Sequence, residues 1–405
     1  MMSPEQKDPL AQPIEINKVR IKNRLVHSAT MENMADENGV ITQQYIDLYK
    51  RLSAGGVGLI ITGHFYVDGN GRTNLGMAGA DRDEQIPPLR KMTESVHEYG
   101  AMIFAQVNHA GLKALPEKTV QKQIVAPSKT RIAKTLELKE IERIVDAFGE
   151  SALRLKQAGF DGIQIHGAHT YLIAQFLSRR INRRTDRYGG SLANRQRFCL
   201  EVYQKIRDKV GSAFPVIIKL DSYSSSYASM PPFIPLINLK EALDTAKHLE
   251  ENGIDAIEVS CGFNATRGAL PYRTSVRVKY AAEGNRLQAA SMNVLMLPLD
   301  LMLNHNAWFA PHHNINHIRI FKQTLKVPIL GGSCFDDPSY MRQVIKKKEA
   351  DMICFARPLI YDPGFPKKIL EGCTNPSGCI RCNLCLFMLP SSLPLKCYYG
   401  KPPKL

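Results

Sequence analysis

Apolar residues fall along this chain in two alternating rhythms. Short, nearly continuous apolar runs occupy 25–29, 58–62, 102–107, 162–165, 215–220, 256–260, 327–330 and 351–355. Runs of that length and continuity predict strands covered on both faces, as in a parallel sheet. Between them the spacing changes to three and four, so that Ile141, Val145, Phe148, Ala152 and Leu155 line one stripe of a helix. Further helices are predicted over 43–53, 86–99, 192–210, 239–252 and 338–347. Eight strand and helix units in order predict an α/β fold, a closed (β/α)8 TIM barrel, over an open doubly wound sheet. No G-x-G-x-x-G follows a strand, and Gly55, Gly56 and Gly58 precede one, which argues against a dinucleotide-binding fold.

Two stretches break the rhythm. Segment 261–326 lies where a barrel needs one loop and one helix, and connections of that length are usually lids or binding elements. It carries Tyr272, Trp308, Phe309, His312, His313 and His317, for which self-packing and a reach into the pocket are both open. From residue 372 the chain is rich in Cys, Pro and Gly and loses helical periodicity. The expected division is a barrel over 1–371 and a short Cys-rich C-terminal tail over 372–405.

Composition narrows the class. The chain has 405 residues, 44% hydrophobic and 22% charged, the balance of a soluble globular protein. It lacks the roughly 18 to 20 residue apolar run of a membrane helix, and its first residues lack the charged-then-apolar order of a secretory signal. A cytoplasmic location is expected. Nine cysteines, four of them crowded between Cys379 and Cys397, do not form a disulfide framework, and the compartment is read as reducing. The net charge of +15 suits a polyanionic partner. Yet the basic runs at 346–348 and at Arg179, Arg180, Arg183 and Arg184 are short and not interleaved with aromatic residues, so no nucleic-acid partner is expected.

The densest chemistry follows the fourth predicted strand. His166, His169 and Tyr171 stand at its carboxyl end, which in a barrel is the catalytic face. Two imidazoles three residues apart can donate to one ligand atom, and a phenol two residues on can deliver a proton. Strands seven and eight end in PILGGSC and ICFARPLIYDP. Gly331 and Gly332 permit close approach of a phosphate and Arg357 can grip it bidentately. Lys219, ending strand five, is a buried cation in need of an anionic partner, which a reduced flavin supplies. Gln106, ending strand three, offers a donor and an acceptor to a flavin edge, and 28–31 offers backbone groups.

These residues carry a resemblance to the Old Yellow Enzyme family of FMN-dependent oxidoreductases, including NADH:flavin oxidoreductases and the amino-terminal barrel of 2,4-dienoyl-CoA reductase. The motifs are KNRLVHSAT from residue 22, GGVGLIIT from 55, QVNHAG from 106, HGAHTYLIAQFLS from 166, NRRTDRYGGSLANR from 182 and ARPLIYDP from 356. The resemblance implies that Ala29, Thr30, Met31, Gly63, Gln106, Lys219, Gly331, Gly332, Ala356 and Arg357 hold FMN. His166 and His169 would bind the electron-withdrawing group of the substrate, with Tyr171 as proton donor. The implied reaction is ping-pong: NAD(P)H reduces the flavin, and hydride then passes to an activated alkene such as an enone or enoyl compound. Lys219 and Ala356 stand where members often carry Arg and Gly, and Met31 where they carry Thr, Cys or His. Two alternatives stay open: a dihydrouridine synthase-like FMN enzyme acting on tRNA, and an FMN electron-transfer protein that reduces no alkene. Expected partners are a small-molecule substrate and NAD(P)H, with a homo-oligomer left open and no membrane.

The tail sets Cys379, Cys382, Cys385 and Cys397 in a C-x2-C-x2-C-x11-C pattern. Four thiolates so spaced suit a [4Fe-4S] cluster or a zinc ion; reduced, unligated thiols are the other reading.

Overall fold

The computed structural model describes residues 8–115, 122–225, 236–263, 314–332, 335–381, 384–387 and 393–399. Tyr272, Trp308, Phe309, His312, His313 and Cys382 lie outside them. Eight parallel strands close into a barrel in sequential order: β1 (Leu25–His27), β2 (Leu59–Tyr66), β3 (Met102–Asn108), β4 (Gly162–Gly167), β5 (Val216–Ser225), β6 (Ala256–Phe263), β7 (Ile329–Gly332) and β8 (Met352–Phe355). The predicted (β/α)8 barrel is therefore the fold.

Strand alternation divides the core in two. Ile103, Ile163 and Ile218 point outward and meet helix residues such as Val96, Phe148 and Ile206 in the large outer core. Val26, Leu59, Ile61, Phe104, Ile217, Leu330 and Met352 point inward and fill the lower barrel, and Ile16 and Ile21 pack with them. Those two isoleucines come from a short antiparallel hairpin, Ile14–Ile16 with Val19–Ile21, which plugs the amino-terminal end.

The helical layer is α1 (Gln43–Ala54), α2 (Ile86–His97), α3 (Leu138–Gln157), a short α4 (Leu172–Leu177), α5 (Leu192–Val210), α6 (Leu239–Glu251), α7 (Ile315–Thr324), α8 (Pro338–Lys346), α9 (Arg357–Tyr361) and α10 (Phe365–Leu370). The stripe Ile141, Phe148, Ala152 and Leu155 of α3 is fully buried. Glu137 and Glu140 form a capping box that satisfies the first amides of α3 and fixes where it starts. No described helix is long and apolar enough to cross a membrane.

Toward the carboxyl ends of the strands the barrel interior turns polar: Gln106, Gln164, His166, Lys219 and Glu258 are all buried there. One irregularity interrupts the ladder between β2 and β3. Ile61 of β2 pairs with Phe104 of β3 and His64 pairs with Gln106, so two residues, Thr62 and Gly63, oppose Ala105 alone. This β-bulge reverses the alternation, turning His64 rather than Gly63 into the barrel.

Described parts of the tail fold back on the barrel mouth. The Leu395 amide donates to the Glu32 carbonyl at 2.8 Å, the Asn33 side chain donates to the Leu393 carbonyl, and Arg381 pairs with Asp336. Leu384 and Tyr398 form a small cluster of their own with Ile380 and Leu393.

Candidate active site

His166 takes the last inward position of β4 and is buried. The Ala168 amide donates to its Nδ1 at 3.3 Å, which leaves the proton on Nε2. The chain then makes a tight turn in which His169 (φ 58°) and Thr170 (φ 59°) both adopt the left-handed conformation. Three bonds hold this turn: His169 N–H to Asp221 at 2.8 Å, the Lys113 ammonium to the His169 carbonyl at 2.6 Å, and Thr170 Oγ1 to the same carbonyl. The His169 ring pairs with Ser260 Oγ through Nε2 at 2.7 Å. Tyr171 stands at the N-cap position of α4, and its ring centroid lies 4.7 Å from that of His166, which is 5.1 Å from that of His169.

His64 completes the group. Its ring centroid is 5.0 Å from that of Tyr171 and 5.8 Å from that of His166, and its Nε2 lies 3.4 Å from the Tyr171 hydroxyl. Burial, reinforced by neighbouring positive groups, keeps all three histidines neutral: His64 falls to about 3, and His166 and His169 lie well below the usual imidazole range. Burial also raises the Tyr171 phenol beyond its ordinary range. Lys113, whose ammonium sits 4.8 Å from the centroid of the Tyr171 ring, is drawn down to about 8 by desolvation.

Beside this group lies a cavity of about 240 Å³ whose lining includes Ala29, His169, Lys219, Gly332, Ala356 and Arg357. Of the residues expected to hold a flavin, Ala29, Lys219, Gly332, Ala356 and Arg357 line this one space, together with His169. Thr30, Met31, Gly63 and Gln106 are not among its lining residues. Gly331 faces elsewhere: a side chain there would meet Ile318 and Ala350 in the outer core. Gly63 has a local reason to be glycine, since a methyl group would collide with Thr30 and Glu32.

Lys219 also has a partner that the sequence pattern did not reveal. Its ammonium pairs with the Glu258 carboxylate at 3.0 Å, both buried, and donates to Ser28 Oγ at 3.1 Å. Ser28 donates to Glu258, Gln164 donates to its other oxygen at 2.8 Å, and Gln106 donates to Gln164 at 2.6 Å. The cation is thus already neutralised, and it presents an ordered donor rather than an unpaired charge. The cavity fits a flavin phosphate: Arg357 and the side-chain-free Gly332 share its wall.

Sequence reasoning missed His64, Lys113, Gln164, Glu258 and Ser260. Glu258 and Ser260 had a signal, both sitting at inward register on a predicted strand. For the cysteines, Cys379, Cys385 and Cys397 are half-buried, and among the described residues no three His, Cys, Asp or Glu side chains are arranged to hold a metal ion.

Neutral N–H donors around a high-pKa phenol suit a reaction in which a bound group gains negative charge and then a proton. With a parallel barrel beneath them, the class is an oxidoreductase barrel of the Old Yellow Enzyme type. The model of the NADH:flavin oxidoreductase / NADH oxidase family matches residues 9–295, and the chain belongs to that family. It is 33% identical to an NADH oxidase of Thermoanaerobacter brockii over 378 residues, 91% of this chain and 52% of the relative. It is 32% identical to a cinnamate reductase of Clostridium sporogenes, covering 89% of this chain and 52% of the relative. The chain thus spans about half the length of these relatives. Among solved structures, 2-naphthoyl-CoA reductase with 2-naphthoyl-CoA superposes with a TM-score of 0.82 at 24% identity, over 98% of this chain and 57% of that one. An old yellow enzyme homologue from Zymomonas mobilis gives 0.70 at 20% identity, over 98% and 99%. At such identities these two matches speak for the fold.

Proposed function

We propose that this chain is an FMN-dependent reductase that takes hydride from NAD(P)H and gives it to an alkene activated by a carbonyl or similar group. The observation that carries the reading is the convergence of His166, His169 and Tyr171, with ring centroids within 5.1 Å along the series, and with His169 among the residues lining the cavity. Lys219, Gly332, Ala356 and Arg357, among the residues expected for it, would hold FMN, which would supply the hydride-transfer chemistry between nicotinamide and alkene.

This chain's own groups would do the rest. His166 Nε2–H and the His169 ring donate to the substrate oxygen, and because both rings are neutral they offer hydrogen bonds without taking the proton needed elsewhere. Negative charge that grows on that oxygen as the β carbon is reduced strengthens both bonds. Tyr171 then protonates the α carbon. The name of the cinnamate reductase supports an α,β-unsaturated carboxylic substrate class. For the tail, the four-cysteine spacing supports a bound [4Fe-4S] cluster or zinc; iron, sulfide and zinc analysis after anaerobic purification distinguishes these from plain thiols.

The test is anaerobic. Purified protein loaded with FMN is reduced with NADH or NADPH and then mixed with 2-cyclohexenone. Reoxidation of the flavin by the enone is expected, slowed at least a hundredfold in Tyr171→Phe, in line with the roughly 10² to 10⁴ a positioned acid contributes. Reduction without reoxidation would favour the electron-transfer alternative.

A further inference from the structure

We infer that His64 is a positioning residue for Tyr171: delivered into the barrel by the Thr62–Gly63 bulge, it donates from Nε2 to the phenol oxygen and so turns the phenolic proton toward the substrate. The inference rests on the proton-donor role given to Tyr171 above.

The tautomer is set by the neighbour on the other side. Asn108 brings its amide nitrogen, which can only donate, to His64 Nδ1 at 3.2 Å. Nδ1 therefore accepts, and in a neutral imidazole the proton must be on Nε2. That N–H points at Tyr171 Oη, 3.4 Å away, the long distance usual for a catalytic hydrogen bond before substrate is seated. A phenol whose oxygen accepts from His64 cannot also donate to it, so its O–H is left for another acceptor. When the proton moves to the substrate carbon, a C–H bond forms, the phenol O–H bond breaks and its electron pair stays on oxygen. The His64 N–H and the Lys113 ammonium, 4.8 Å from the ring centroid, both stabilise the phenolate until water reprotonates it.

The backbone is built to put the imidazole there. Without the bulge, Gly63 would face inward and His64 outward into the helix layer. The bulge is fastened by Glu32, buried beneath it, whose carboxylate accepts from the Gly63 amide at 2.6 Å and from the Tyr49 hydroxyl. Gln106 N–H donates to Thr62 Oγ1 at 3.2 Å on the neighbouring strand.

The test compares His64→Phe, His64→Gln and Tyr171→Phe. Losing a hydrogen bond to a developing anion predicts that His64→Phe slows flavin reoxidation by 2-cyclohexenone about tenfold to a hundredfold. Reoxidation by a quinone, which takes hydride at oxygen and needs no carbon protonated, should stay within about twofold, as should reduction by NAD(P)H. His64→Gln, which keeps a donor, should recover most of the enone rate. Nitrogen-15 shifts of histidine-labelled protein, without substrate, should show the Nε2–H tautomer at His64. An Nδ1–H tautomer, or equal losses with enone and quinone, overturns the inference. If Tyr171→Phe itself keeps the enone rate, the proposed function fails first; if only Tyr171→Phe loses it, the role of His64 alone fails.

Discussion

His169 and Thr170 show how much local conformational energy sits in this mouth. Two consecutive non-glycine residues at φ near +60° cost roughly 1 to 2 kcal/mol each, and threonine, branched at Cβ, is among the least suited to that region. The three bonds from Asp221, Lys113 and Thr170 hold the turn against that cost. Thr170→Asn, which tolerates the left-handed region, should stabilise the protein by about 0.5 to 1 kcal/mol, read as a higher urea midpoint at unchanged slope. A fall in stability would mean that the Thr170 hydroxyl matters more than the strain. At this scale the sequence was legible where chemistry is crowded, at His166, His169 and Tyr171. His64 was hidden because a period-two reading of LIITGH turns it away from the barrel, and no local signal announces a bulge at Thr62 and Gly63.

Among elements, all eight strands were legible, because parallel strands covered on both faces must be apolar throughout. Their ends at the mouth were not. β2, β5 and β6 run on to Tyr66, Ser225 and Phe263, past the predicted runs. The Lys219–Glu258 pair joins two of these strands side by side, with Glu258 opposite Lys219 in the ladder. A buried pair of this kind adds little net stability, but breaking it leaves an uncompensated charge. Lys219→Met should therefore cost about 3 to 5 kcal/mol in chemical denaturation of the flavin-free protein, whereas Lys219→Met combined with Glu258→Gln should recover most of it. Additive losses in the double variant would show that the two groups are independent.

For the molecule as a whole, buried titratable groups near the mouth make stability depend on pH in opposing directions. His27 and His109 are held to about 4, mainly by burial, so the unfolded chain binds protons that the folded chain refuses, and stability rises with pH from about 4 to 6.5. Glu32 works the other way. Burial lifts it from its ordinary 4.5 to about 7 despite bonds from Tyr49 and Gly63. Below 4.5 both states hold its proton; between 4.5 and about 7 the unfolded chain releases it while the folded chain keeps it, so stability falls as pH rises; above about 7 the loss is complete. At about 1.4 kcal/mol per unit the full effect is on the order of 3 kcal/mol. Glu32→Gln keeps an acceptor for the Gly63 amide and removes the titration. The difference in unfolding free energy between this variant and the parent should therefore grow in the variant's favour from pH 4.5 to 7 and then level off. A difference that stays flat across that range would show that the carboxylate fastening the bulge is ionised throughout.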